Sequence, residues 1–196
     1  MRTRRPPARN EELLDAAMTA FAARGYFGTT TAQVADYMGV SQPYVIQAFG
    51  SKRELFLRTH THAGARIVAA FQGAADGSDA FVPASLGAAY VRLVRSDLAA
   101  VLVHAHAFSA APAEPEIAAE ARRLFAEITA TIRAAGATVH EAAAFLSRGM
   151  LINNLLLMDA ANVSDDTDVL AIVATILGSS DQAPHHPDPS TDKGPR

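Results

Sequence analysis

Residues Thr29–Phe56 read TTTAQVADYMGVSQPYVIQAFGSKRELF. Three helix starts are written into this stretch. Thr30 and Gln33 have the spacing of a capping box, in which hydroxyl and amide satisfy each other's orphan backbone groups. Val34, Ala35 and Met38 then give a short apolar face, and Gly39 ends the helix by accepting a left-handed conformation. Ser41 caps a second helix, with Pro43 in its first turn, where a missing N–H is harmless. Ser51 and Glu54 form another capping box and open a third, longer helix. Two short helices joined by a tight glycine-containing turn are the pattern of a helix-turn-helix.

Within that pattern Ala35 is small where two helices would cross, and Val45 packs the second helix back onto the first. Gln42, Tyr44 and Gln47 are left on the outward side, where they can reach base edges and phosphates in a major groove. Thr29, Thr30 and Thr31 precede a helix N-terminus, a natural phosphate site. Lys52 opens the third helix and is suited to the same task. Gln33, Ser41 and Pro43 complete the expected DNA-contacting set.

Working outward, Asn10 is expected to cap a leading helix, with Glu11 and Glu12 near its positive end. Leu13, Leu14, Ala17, Phe21 and Ala22 recur at helical spacing, and Gly25 ends the run. Before it, Met1–Arg9 (MRTRRPPAR) reads as a basic arm. It either follows phosphates and enters a minor groove, or is a solvated tail.

The segment Asn10–Phe56 resembles the DNA-binding domain of the TetR family of bacterial transcriptional regulators. The residues that carry the resemblance are Ala16, Ala17, Phe21, Gly25, Tyr26, Thr29–Thr31, Ala35, Gly39–Ser41, Phe49 and Ser51–Phe56. The resemblance implies a homodimer in which the last two helices of each subunit form a four-helix interface, and a ligand cavity inside the body. Two positions depart from the family pattern. Ile46 stands where a phosphate-contacting Tyr is common, and Ala48 where His or Tyr is common.

Composition bounds the alternatives. The 196 residues are 49% hydrophobic, enough for a sizeable core. No apolar run approaches bilayer length, and the Arg-rich N-terminus leads into Asn10-Glu11-Glu12, not an apolar signal core. The lack of cysteine excludes disulfides and thiolate chemistry and fits a cytoplasmic setting. The net charge of −3 is uneven. Through Arg66, nine basic residues face five acidic ones, a surplus of four positive charges, so the remainder carries seven negative charges in excess. A basic contact surface on an acidic body suits a DNA-binding module.

The rest of the chain reads as helices: Ser51 to about Gln72, Ser85–Val94, one opened by Asp97, Glu116–Ala135, Val139–Ala161 and Asp165–Leu177. Gly73–Val82 reads as a loop, and Pro112 and Pro115 as breaks. The last two helices, apolar on most sides, are assigned to the partner surface. The residues after Gly178 read as a disordered tail. The expected fold is all-α, with an N-terminal three-helix helix-turn-helix domain (residues 1–50), a C-terminal helical ligand-binding and dimerisation domain (51–178) and the tail (179–196). Tyr90, Leu102, His106, Phe108, Phe125, Phe145, Met150 and Asn154 are the candidate cavity lining, suited to a hydrophobic or aromatic small molecule.

The seven histidines do not read as a metal site. His60/His62 and His104/His106 are two apart, which on a helix points them to nearly opposite faces. No cofactor motif and no enzyme motif is present. Three readings follow: a repressor released from its operator by a small apolar ligand, a dimeric DNA-binding regulator without a ligand, and a helical interaction module that never meets DNA.

Overall fold

The computed structural model describes residues 7–75 and 81–177 of the chain. Among these every regular element is helical: α1 (Pro7–Gly28), α2 (Thr31–Tyr37), α3 (Gln42–Phe49), α4 (Lys52–Ala75), α5 (Pro83–Ser96), α6 (Leu98–Ala110), α7 (Pro115–Ala134), α8 (Val139–Leu157), α9 (Ala160–Val163) and α10 (Thr167–Leu177).

Helix α4 is the axis on which the others are hung. Its buried residues include Leu55, Phe56, Thr59, Ala63, Gly64, Ile67, Val68 and Phe71, a spacing that feeds two adjoining faces. One face meets α1, where Phe21 and Phe56 pack edge to face at 5.0 Å. The other meets α5, α6 and α7. Gly64 lets α7 come close, because a Cβ there would lie 2.5 Å from Leu124 Cδ2. A single hydrophobic core therefore runs from Leu13 in α1 to Leu177 in α10 without a break at residue 50.

The N-terminal helices are also bound to the body by polar contacts. Arg66 of α4 donates to Asp97 at 2.5 Å and to Asp15 of α1. His62 completes the cluster, 2.9 Å from the same Asp15 carboxylate. Asp97 also caps α6, accepting from Ala100 N.

Several boundaries differ from the sequence reading. Helix α1 begins at Pro7, so Asn10 lies inside it and is not its cap. Proline at a first helical position has no N–H to lose, and this start adds a turn before Asn10. Of the expected arm, residues 1–6 lie outside the described residues. Gly25 does interrupt α1, at φ 66°. Gly73–Ala75 continue α4, and residues 76–80 of the expected loop lie outside the described residues. The long helix expected over Val139–Ala161 stops at Leu157. Asp159 takes a left-handed conformation (φ 51°), tolerated by its short polar side chain, and a separate turn, α9, follows. The expected tail, 179–196, lies outside the described residues.

Candidate nucleic-acid interface

The reading element is assembled by local hydrogen bonds. Gln33 N donates to Thr30 Oγ1 at 3.2 Å and Thr30 N donates to Gln33 Oε1 at 2.9 Å, the reciprocal box expected from the sequence. At the other end of α2, Val40 N reaches Ala35 O and Gly39 N reaches Asp36 O, both at 3.0 Å. This pair of bonds is a Schellman motif, and Gly39 makes it possible at φ 62°. The turn leads directly into α3. Val34, Ala35, Val45 and Phe49 are buried where α2 and α3 meet.

Helix α3 turns Gln42, Pro43, Ile46, Gln47 and Ala48 outward. Gln42 Nε2 donates to Thr31 Oγ1 at 2.8 Å, a side-chain bridge from α3 back to α2. Ser41 occupies the cap position of α3 but makes no side-chain capping bond. Ile46, 42% exposed, stands at the centre of the outward face. Tyr44 was expected to point outward. It is instead half-buried and leans on the core, next to the inward Val45, on the flank that lines a groove with α4.

Two expected phosphate ligands are already occupied inside the protein. Thr29 is buried, and its hydroxyl donates to Gly25 O at 2.7 Å. This corrects the expectation that its side chain is presented to phosphate: it ties the α1–α2 turn together. Lys52 Nζ donates to Tyr26 O at 3.0 Å and Thr29 O at 3.2 Å and sits 4.5 Å from the centre of the Tyr26 ring. The lysine thus staples the start of α4 to that turn. Nearby, Arg53 pairs with Glu116 at 2.7 Å and Arg58 with Glu54 at 3.1 Å. Glu54 N also donates to Ser51 Oγ at 3.0 Å, half of the second capping box.

Residues 13–59 match the family model for bacterial regulatory proteins, tetR family. The chain carries a TetR-family helix-turn-helix domain. Solved structures extend the likeness in fold along the chain. The TetR-family regulator PfmR of Thermus thermophilus is 19% identical with a TM-score of 0.58, over 85% of this chain and 97% of that one. FadR of Bacillus subtilis, solved in complex with stearoyl-CoA, is 12% identical with a TM-score of 0.63, over 90% of this chain and all (100%) of that one. The fatty acid degradation regulator FadR of Bacillus halodurans gives 13%, 0.62, 89% and 95%. No curated protein matches the chain by sequence.

In the body of the chain a cavity of about 50 Å³ lies among α4, α5, α6, α7 and α8. Of the eight residues expected to line it, Tyr90, Phe125, Phe145 and Met150 do. Leu102 is fully buried core. His106 instead packs between α6 and α1, with Nε2 3.2 Å from Ala22 O and its ring against Gly25. Phe108 packs edge to face on His104 at 4.9 Å, outside the lining. Asn154 faces an outer groove between α7 and α8. Between His104 and His106, and between Asn153 and Asn154, the expected lining took the second of each pair; His104 and Asn153 hold those places. A signal existed for Asn153, which follows Gly149 by four and Leu146 by seven and so shares their inward register. No signal in spacing could have paired His104 with its partner, His60, 44 residues away.

Burial raises the Tyr90 hydroxyl above its ordinary pKa, and the same hydroxyl donates to Asn153 Oδ1 at 2.5 Å. Burial pushes His104 down to about 3, helped by the neighbouring His60. Both groups are therefore uncharged at neutral pH. Among the described residues no group of three or more His, Cys, Asp or Glu is placed to hold a metal ion. No helix among them is long and apolar enough to cross a membrane.

Proposed function

We propose that this chain is a homodimeric, cytoplasmic transcriptional repressor whose operator affinity falls when a small apolar molecule occupies the body. The observation that carries the DNA-binding part is the outward face of α3, with exposed Gln42 and Gln47 held on a rigid, Schellman-linked helix pair. Glutamine can bond adenine through two hydrogen bonds in a major groove. Residues 1–50 serve as the reading head, 51–178 as the regulatory and dimerisation body, and 179–196 as a tail. Thr30, Thr31, Gln33, Ser41 and Pro43 frame the contact surface, and Tyr44 supports it from the flank.

A single α3 reads only a few base pairs, so two copies about one DNA turn apart, roughly 34 Å, are needed for an operator of useful length. The partner surface assigned here is α8 with α10. Leu151 and Ile172 on these helices, and Met158 and Val163 in the connection between them, are large apolar side chains left exposed. Such a concentration of apolar residues on neighbouring elements supports burial against a second copy.

The coupling we favour runs through α6 as well as α4. His104 of α6 lines the cavity, and two residues on, His106 grips α1 at Gly25 and Ala22. A ligand that prefers one position of α6 would bias the placement of α1 and with it the spacing of the two α3 helices. A long acyl chain, as in the FadR complex with stearoyl-CoA, is a second reading, but about 50 Å³ favours something far smaller.

The test is footprinting on the DNA flanking the chain's own gene, followed by salt-dependent titration of any protected site. Specific protection with a steep loss of affinity as salt rises is expected. Gln47→Ala should weaken that site about tenfold or more with the dimer intact. An unaltered affinity would remove α3 from the interface, and no duplex binding at all would leave the helical interaction module as the reading.

A further inference from the structure

His60 of α4 and His104 of α6 meet in the core. His60 Nε2 lies 3.2 Å from His104 Nδ1, and the rings stack at 5.4 Å. Both are buried, at 1% and 5% exposure. On its other side, His60 Nδ1 faces Glu120 Oε1 of α7 at 3.8 Å. That separation is longer than a hydrogen bond, and His60 Nδ1 is buried without a hydrogen-bond partner. Glu120 itself is firmly held. It accepts from Arg123 at 2.7 and 2.8 Å and from Thr61 Oγ1 at 2.7 Å. The Arg123 hydrogen bonds keep its carboxyl well below the usual carboxylate range.

A fixed anion beside His60 Nδ1 favours the tautomer that carries its proton there. His60 Nε2 is then a lone pair and accepts from His104 Nδ1–H. The consequence falls on the far side of the second ring, where His104 Nε2 is left as a bare acceptor. His104 lines the cavity, and among the described residues no hydrogen bond reaches that nitrogen. The rest of the wall is mostly apolar and rich in rings, with the exposed Arg148 as the one charged residue in the lining among the described residues. Phe71 stacks on Tyr90 at 5.7 Å and meets Phe145 edge to face at 5.6 Å. Asn153, whose Oδ1 is taken by Tyr90, supplies a further polar point. A carboxylate would set its charge against the His104 lone pair, whereas a hydroxyl would donate to it.

We propose that His104 Nε2 recognises the hydroxyl of a small, uncharged hydroxyaromatic effector, with His60 and Glu120 as positioning residues that keep the proton off that atom. This rests on the reading that the body binds an effector. Phe125, Leu146 and Met150 separate the cavity from the open groove of about 770 Å³ between α7 and α8, because all three line both. Rearrangement of these side chains is the entry route and enlarges the cavity to fit one ring.

The test uses the full chain with histidine labelled with nitrogen-15, and p-cresol and 4-methylanisole as a pair in which a methyl group replaces the hydroxyl proton. Long-range nitrogen–proton correlation on the unliganded protein should show His104 Nε2 unprotonated and Nδ1 protonated, and the opposite tautomer would overturn the proposal. Calorimetry should give p-cresol an affinity about tenfold above that of 4-methylanisole, the usual weight of one buried hydrogen bond. Equal affinities, or no binding of either, would overturn it as well. His104→Leu should abolish the preference. Glu120→Gln, which removes the charge and nearly keeps the shape, should narrow it, and an unchanged preference there would remove Glu120 from its role. The comparison on the unmodified protein decides the matter even if a variant fails to fold. A clear hydroxyl preference with no effect on operator affinity would support this site and overturn the effector-release reading instead.

Discussion

In the helix-turn-helix segment the capping bonds join residues three to five apart, as between Thr30 and Gln33 or Ala35 and Val40. In the body the decisive polar contacts join Arg66 to Asp97, His60 to His104, Tyr90 to Asn153 and Arg95 to Leu177, separations of 31 to 82 residues. The difference teaches where each region's specificity comes from. The reading head is defined by local backbone chemistry and can be presented as a rigid unit. The body is defined by which helices happen to meet, so a ligand that alters one meeting alters several. Gly25 sits at the junction of the two regimes.

Gly25→Val is the harshest way to break the comparison. The residue has φ 66°, which a β-branched side chain resists, and a Cβ would lie 2.8 Å from His106 Nδ1. Strain and overpacking together should cost about 3 kcal/mol, seen as a fall in Tm of roughly 10 °C for a chain of this size. A loss below about 1 kcal/mol would mean that the head and the body do not share the packing described for α1 and α6.

Acid is the next largest probe, and it acts on the body. His104 has its pKa depressed to about 3 in the folded chain, against about 6.5 when unfolded. The stability it contributes is therefore complete above pH 6.5 and is lost as pH falls towards 3. His60 is the titratable group that faces it, with Glu120 on the far side of His60. Lowering the pH from 7.5 to 5 should cost on the order of 2 kcal/mol in urea unfolding. His104→Gln should flatten that slope. A slope unchanged in the variant would place the acid sensitivity elsewhere.

Tyr90→Phe is milder. It strips the hydroxyl from a contact that joins α5 to α8 and leaves Asn153 Oδ1 unpartnered at a buried site. A loss of about 1–2 kcal/mol is expected, with operator contacts of the head untouched. If the loss is near zero, water replaces the hydroxyl and the cavity is wetter than its apolar walls suggest.

The same contrast explains how far the sequence could be read. Both start signals of α2 and α4, the Gly39 turn and the Asp97 helix start are local, and each reads directly from residue type and spacing. Helix α8 was read as too long because nothing in a continuous apolar run announces that Asp159 will adopt φ 51°. The cavity was half legible. Apolar periodicity finds Phe145 and Met150, but it cannot show that His106 turns to α1 while His104 turns to His60. Thr29 and Lys52 carry the chemistry of phosphate ligands, and only tertiary structure shows the carbonyls that already occupy them.

The smallest effects test whether local signals deserve to be read at face value. Thr30 and Ser41 are both hydroxyl residues at helix N-caps, and from sequence they are equivalent. Thr30 accepts from Gln33 N and completes a box, whereas Ser41 makes no side-chain capping bond. Thr30→Ala should therefore cost about 1 kcal/mol and fray the start of α2. Ser41→Ala should stay within about 0.5 kcal/mol of the parent, as an exposed substitution that removes no bond. Hydrogen exchange at the amides of Gln33 and Val34, set against those at the start of α3, would localise the difference. Equal losses in the two variants would mean that the Ser41 hydroxyl caps α3 in solution. Titration against the operator then separates stability from contact. If Ser41→Ala leaves stability intact but weakens DNA binding, the hydroxyl is free within the protein because its partner is a phosphate.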